Sequence, residues 1–274
     1  MDITTQGIWF GDFEIRFYGI IIATAILVAF FLGQRLYKRS GYKDDIGYHI
    51  LLLGVPLGMI GARVFYVIFA PHDVNLFDIR GGGMAIYGAV LMGILAVFIY
   101  ARIRKVGFFT LSDALVIVLI LAQSIGRWGN FFNREAYGLG VDFHFFPITV
   151  DIYGSYHLAT FFYESFLNLI GFFLLWRIFS RQTKHGTTTA WYFIYYGLVR
   201  AMIEPLRTDS LTIFGTSDFV LNRVSFVLSL ILVAAGVIIL VLNKKGLINQ
   251  NNENILLTDK EKEVKDGSDN EQLP

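Results

Sequence analysis

Seven apolar stretches, near residues 17–36, 46–69, 84–101, 111–128, 159–178, 187–204 and 222–243, constrain this chain more than any other feature. Each is long enough, or nearly so, to cross about 30 Å of hydrocarbon as a helix. Hydrocarbon offers no partner to a backbone N–H or C=O, so a continuous apolar segment must satisfy its peptide groups internally, as an α-helix does. Of the 274 residues, 55% are hydrophobic and 16% charged, where a soluble domain has about a quarter charged. The expected fold class is all-α: a polytopic membrane protein of about seven transmembrane helices. The leader MDITTQGIWFGDFEIR holds three acidic residues and one arginine. A cleavable signal peptide has a basic leader, so the first stretch is expected to remain as a span.

Orientation follows from where the lysines lie, because positively charged loops stay cytoplasmic. Arg35, Lys38, Arg39 and Lys43 follow the first stretch, Arg102, Arg104 and Lys105 the third, Arg177, Arg181 and Lys184 the fifth, and Lys244 and Lys245 the seventh. The alternate connections contain no lysine. The N-terminus is therefore expected outside and the C-terminus in the cytoplasm, in a bacterial cytoplasmic membrane. Residues 1–246 are expected to form the membrane domain, with an outer loop at about 134–158 making a small strand-like or amphipathic extracytoplasmic cap. Residues 247–274 are polar and mixed in charge, and read as a disordered cytoplasmic tail. A net charge of +1 gives no reason to expect nucleic acid. With no cysteine, the chain has no disulfide, thiolate metal site or cysteine nucleophile of its own.

A second asymmetry points to chemistry. Basic residues within spans or on the expected outer side are all arginine: Arg16, Arg63, Arg80, Arg127, Arg134, Arg200, Arg207 and Arg223. An arginine at mid-membrane costs roughly 2.5–3.5 kcal/mol on insertion scales. Its planar fork grips phosphate or carboxylate at two points and keeps its charge when desolvated. Each arginine can instead pair with a carboxylate to fix helix packing, but several together favour an anionic ligand entering from the membrane. In the sixth stretch, YYGLVRAMIEPLR places Tyr196, Arg200 and Glu204 four apart on one helix face, with Arg207 three further on. Pro205 should kink or end that helix. IRGGGMAIYG opens the third stretch, and Gly81, Gly82 and Gly83 allow either a tight turn or a close backbone approach to an anion. GRWGNFFNREAYG, residues 126–138, closes the fourth stretch. Arg127 and Asn130 share a face if the helix continues, Asn133 and Glu135 follow, and Gly126, Gly129 and Gly138 leave room beside them. The set reads as a polar pocket at the depth of lipid headgroups.

That stretch closely resembles the signature of bacterial prolipoprotein diacylglyceryl transferases, G-R-x-G-N-F-x-N-x-E-x-x-G, at Gly126, Arg127, Gly129, Asn130, Phe131, Asn133, Glu135 and Gly138. RFYG with Tyr18, GARVFYV with Arg63, GGMAIYG, and YGLVRAMIEPLR agree in order, so the resemblance spans about residues 13–243. Two departures stand out. Tyr87 occupies a position where the family often has histidine, and YHLATFFYES, with His157, Tyr163 and Glu164, resembles H-P-x-x-x-Y-E-S without its proline.

The resemblance implies transfer of a diacylglyceryl group from phosphatidylglycerol to the lipobox cysteine thiol of a prolipoprotein signal peptide. Glycerol phosphate leaves, and no metal or organic cofactor takes part. Arg127, Arg200, Tyr87 and Glu204 are then the expected catalytic residues. Phosphatidylglycerol is expected at Arg127, Asn130, Arg200, Tyr18, Gly82 and Gly83. Glu135, Arg207, Tyr196 and Gly138 are expected to support them, the two charged residues by holding the arginines in place. A transporter or flippase for an anionic lipid or solute would use the same arginines. An intramembrane protease lacks its serine–histidine pair or paired aspartates, Asp113 being the one aspartate near a span.

Overall fold

The structure is a computed structural model and describes residues 2–11, 13–43, 45–69, 76–77, 86–208, 223–248 and 250. Seven α-helices lie among them: α1 (Phe17–Arg39), α2 (Ile46–Phe69), α3 (Ile86–Arg104), α4 (Phe108–Asn133), α5 (Thr160–Phe179), α6 (Thr187–Ile203) and α7 (Val224–Lys244). Each coincides with one of the apolar stretches. α1, α2, α4, α5 and α7 are long and apolar enough to cross a membrane. α6 is shorter, at 17 residues, because Pro205 halts it: residues Glu204–Leu206 tighten into a 3₁₀ turn and Arg207 is extended. α4 runs five residues beyond the expected end at 128, so Arg127 and Asn130 both lie on helix.

Strand structure is more extensive than the sequence suggested. β1 (Asp2–Ile3), β2 (Gly7–Phe10) and β3 (Phe13–Arg16) form an antiparallel meander before α1. In the expected cap loop, β4 (Thr149–Ile152) pairs with β5 (Ser155–Leu158), with Thr149 opposite Leu158. Segment 138–141 adds to β5: Gly138 N–H donates to Leu158 O at 2.8 Å and Val141 N–H to Tyr156 O at 2.9 Å.

The chain divides into two compact units, residues 1–31 with 113–248, and residues 32–112 with 249–274. In the second, α2 packs on α3 where Gly61 and Gly88 meet backbone to backbone. The Tyr37 hydroxyl donates to Leu111 O at 2.8 Å, and Arg104 Nη2 donates to Asp45 Oδ2 at 2.7 Å.

The first unit holds α4 to α7. A Cβ on Gly236 would come within 2.6 Å of Ala190 O, so α6 and α7 approach as closely as backbones allow, the usual device where small residues face one another between membrane helices. Gly186, at the start of α6, has a left-handed φ of 93° and no side chain with which to cap the helix. Asp113 of α4 supplies the cap from another helix. Its Oδ1 accepts from Thr189 N at 2.8 Å and Thr189 Oγ1 at 2.6 Å; its Oδ2 accepts from Gly186 N at 2.7 Å and Gln182 Nε2 at 2.9 Å. Asp113 is fully buried, and a carboxylate at a helix N-terminus is stabilised by the free N–H groups there. The aspartate that a protease reading would have needed is thus structurally occupied.

Candidate anion site at the ends of α4, α5 and α6

Three helix ends of the first unit converge on one carboxylate. Glu164, one turn into α5, accepts from Arg127 Nη2 at 2.5 Å through Oε1 and from Arg200 Nη1 at 2.9 Å through Oε2. Arg200 Nη2 donates to Glu204 Oε2 at 2.7 Å across one turn of α6, as the four-residue spacing foretold. Arg127 Nη1 reaches Asn130 Oδ1 at 3.4 Å. Glu164 and Glu204 are each 1% exposed and Arg200 8%, so water does little to screen these charges. Arg207 also acts electrostatically on Glu164, and Tyr196 lies within reach of the charges of Arg127, Arg200 and Glu164.

The backbone around this cluster is tied by bonds between segments distant in sequence. Ser124 Oγ donates to Ser165 O at 2.7 Å, Ser165 Oγ to Ser124 O at 2.8 Å, and Trp128 Nε1 to Ser165 Oγ at 3.1 Å, locking α4 against α5 beside Glu164. Gly138 bridges to Arg207, and Leu139 N–H donates to Leu206 O at 2.9 Å. A Cβ at Gly138 would lie 2.7 Å from Leu206 O and 2.8 Å from Thr160 Cγ2. Only glycine lets the chain after α4 thread between α5 and the 3₁₀ turn. Arg223 Nη1 donates to Glu204 O, and to Arg207 O at 3.3 Å, closing the turn from the α7 side. Tyr18 fills the space over Gly129, where a Cβ would come 2.6 Å from its Cδ2, and it feels the charges of Glu135 and Arg127.

The structure thus gathers Arg127, Asn130, Arg200, Glu204, Tyr196, Tyr18, Gly138 and Arg207. Two features differ from the sequence expectation. Glu135, expected to hold an arginine, accepts from Asn130 Nδ2 at 3.0 Å and Asn133 Nδ2 at 3.2 Å, and so bears on Arg127 through Asn130. The central carboxylate is Glu164, which the sequence marks only as part of a loose motif match. A signal for it existed: it is the one carboxylate in the fifth apolar stretch, and an acid there needs a partner inside the bundle. Gly81, Gly82 and Gly83 lie outside the described residues, as do residues 251–274 of the tail. Tyr87 is described in its backbone alone, in the first turn of α3.

Chemically, the cluster offers two guanidinium groups held one carboxylate apart. Each uses part of its five-donor fork on glutamate and keeps further N–H groups for an anion. Glu164 and Glu204 prevent the buried Arg200 and the partly buried Arg127 from standing uncompensated, a condition that for a fully buried charge is worth roughly 3–5 kcal/mol.

Comparison with known proteins bears on that arrangement. The profile of the prolipoprotein diacylglyceryl transferase family matches residues 7–242. A phosphatidylglycerol–prolipoprotein diacylglyceryl transferase of Clostridium kluyveri is similar, 42% identical over 215 residues, covering 74% of this chain and 84% of the relative. Proteins of the same name from Lactobacillus delbrueckii subsp. bulgaricus and Streptococcus pneumoniae are each 39% identical; both alignments cover 84% of this chain, and 87% and 90% of the relatives respectively.

Proposed function

The chain belongs to the prolipoprotein diacylglyceryl transferase family, and on that footing we propose that it moves the diacylglyceryl group of phosphatidylglycerol onto a lipobox cysteine thiol. The observation that carries the residue assignment is the convergence of Arg127 and Arg200 on the two oxygens of Glu164. Guanidinium groups that one carboxylate spans are also spaced for one phosphate. In the reaction the thiol sulfur attacks the glycerol CH₂ that bears the phosphate. A C–S bond forms, the C–O bond breaks, and its electron pair stays on the phosphate oxygen. The thiol proton passes to that phosphate or to water. Negative charge builds on the departing phosphate, and fixed arginines stabilise it most where water is scarce.

In this reading Arg127 and Arg200 bind the phosphate, Asn130 and Tyr18 assist them, and Gly82 and Gly83 are proposed as further phosphatidylglycerol-binding residues. Glu164 and Glu204 aim the two forks. Glu135 aims Asn130, while Gly138 and Arg207 brace the 3₁₀ turn and Tyr196 meets Arg127 from α6. A cysteine thiol has a pKa near 8.5, so a base helps at neutral pH without being obligatory. Tyr87 and Glu204 are the residues proposed to position or deprotonate it. Seven spans, N-terminus outside and C-terminus in the cytoplasm, put the site at the outer leaflet; the lysine pattern supports this, and a reporter fused after Lys245 reads it directly. The function is tested by incubating the purified protein in phosphatidylglycerol with a lipobox peptide. A diacylglyceryl mass increment, absent with a cysteine-to-serine peptide, is expected. An unmodified peptide under conditions where the protein is folded would refute it.

A further inference from the structure

Beneath the arginine cluster each of the three helices remains polar for another turn. α4 carries Ser124 and Gln123, α5 carries Ser165 and Asn168, and α6 carries Tyr196 and Tyr192. Nearly all of these groups satisfy one another. Ser124 pairs with Ser165, while Gln123 Nε2 donates to the Tyr192 hydroxyl at 3.0 Å. Asn168 is the exception. It is 0% exposed, and neither Nδ2 nor Oδ1 has a hydrogen-bond partner. Glu204 Oε1 is also without a partner, but its Oε2 is held by Arg200, whereas Asn168 has neither polar atom satisfied.

An orphaned amide inside a bundle is costly, about 1–3 kcal/mol from mutational data. A hydrophobic residue of the same shape would remove that cost, so the amide is retained for a partner outside the chain. Its place says which kind. Asn168 stands four residues after Glu164 on the same buried face of α5, about 6 Å along the axis at 1.5 Å per residue. α5 descends from the cap, and α6 ends beside the cap through the Leu139–Leu206 bond, so this displacement leads away from the cap into the apolar interior. In a phospholipid, the groups about one helical turn from the phosphate in that direction are the carbonyls of the two fatty-acyl esters. They accept hydrogen bonds and have none to donate, which suits an amide NH₂. Arg200 and Glu204 are nearly as buried as Asn168, so a lipid that reaches the arginines must part the same helix contacts that cover Asn168.

We propose that Asn168 is a specificity-determining residue that donates to an acyl-ester carbonyl of the diacylglyceryl group, one turn below the phosphate held by Arg127 and Arg200. The inference rests on the transferase reading above and adds to it a preference for ester-linked lipid. It also separates function from folding: a residue kept for its ligand destabilises the free protein.

The test compares diacyl phosphatidylglycerol with its dialkyl-ether analogue, which lacks the carbonyls, in the wild-type chain and in Asn168→Leu. The wild type should use the ester lipid with a kcat/KM about fivefold higher, the worth of one neutral hydrogen bond. Asn168→Leu should fall to the ether value on the ester lipid and be unchanged on the ether lipid, with a Tm equal to or above that of the wild type. Equal loss on both lipids would overturn the proposal, since the amide would then serve the peptide or the packing. So would a lowered Tm accompanied by such equal loss, or a wild type indifferent to the carbonyls. Failure of the wild type to transfer from either lipid would overturn the transferase reading and this inference with it.

Discussion

Replacing Glu164 by glutamine tests whether that carboxylate is the pivot of the site. Its two oxygens hold Arg127 at 2.5 Å and Arg200 at 2.9 Å, with the side chain 2% exposed. Glutamine keeps one carbonyl oxygen, so one guanidinium retains an acceptor. The other then faces an amide NH₂, donor against donor. Arg200 still has Glu204 at 2.7 Å, whereas Arg127 loses its carboxylate. Removing one partner of a buried pair costs roughly 3–5 kcal/mol, and the surviving Arg200–Glu204 pair argues for the lower end. At roughly 2–4 °C per kcal/mol for a domain of this size, Tm should fall by about 6–12 °C. Transfer should fall with it, because the Arg127 fork is then no longer held by a carboxylate. Glu164→Asp keeps the charge but is one methylene too short to span both arginines, and should lie between the two. Thermal unfolding in detergent micelles, alongside initial rates on a lipobox peptide, measures both quantities. A Glu164→Gln protein that melts with the wild type and transfers at its rate would refute the pivot role. Should the glutamine variant fail to insert, wild-type behaviour in Glu164→Asp would refute it equally.

Arg127→Lys and Arg200→Lys keep charge but lose the two-pronged grip; each should insert normally and lose about 10- to 100-fold in kcat/KM, the scale of one charge-assisted hydrogen bond, and near-normal turnover in both would mean that a point charge suffices. Tyr87→His should retain transfer, since imidazole can accept a proton or donate a hydrogen bond, whereas Tyr87→Phe should lose most of its turnover with the protein still inserted; an active phenylalanine variant would shift the thiol-proton role to Glu204 or water. His185, in the connection between α5 and α6, is held below the usual histidine pKa by burial, which outweighs the nearby Asp113 charge. Between that lowered value and about 6.5 the unfolded chain binds a proton that the folded chain does not, so stability falls as pH drops through this window. Melting curves from pH 7.5 down to 5.5 should show the fall, and His185→Asn should flatten it.

The seven helices were legible in the sequence because hydropathy over some 20 residues is a long signal with one physical solution in hydrocarbon. The face shared by Tyr196, Arg200 and Glu204 was legible for a similar reason, since spacing along one helix fixes it, and Pro205 marked where that helix stops. What crossed between helices was not. Arg127 and Glu164 are 37 residues apart, and nothing local says that α4 and α5 meet there; Glu135, nearer in sequence, was the natural but indirect candidate. The meander of β1 to β3 is not legible in the sequence because strands of two to four residues carry little pattern of their own beside a 23-residue helix. Asn168 is one polar residue in a greasy span, and nothing in the sequence singles it out. Only packing shows that its amide is alone.

In the proposed reaction the carbon–oxygen bond to phosphate breaks, and the phosphate departs between Arg127 and Arg200. Phosphatidylglycerol labelled at phosphorus tests it most directly, by following the label after reaction with a lipobox peptide. All released label should leave as water-soluble glycerol phosphate while the peptide gains a phosphorus-free diacylglyceryl group, and Arg127→Lys and Arg200→Lys should slow both products together. Label found on the peptide would mean attack at phosphorus instead of carbon, and would contradict it.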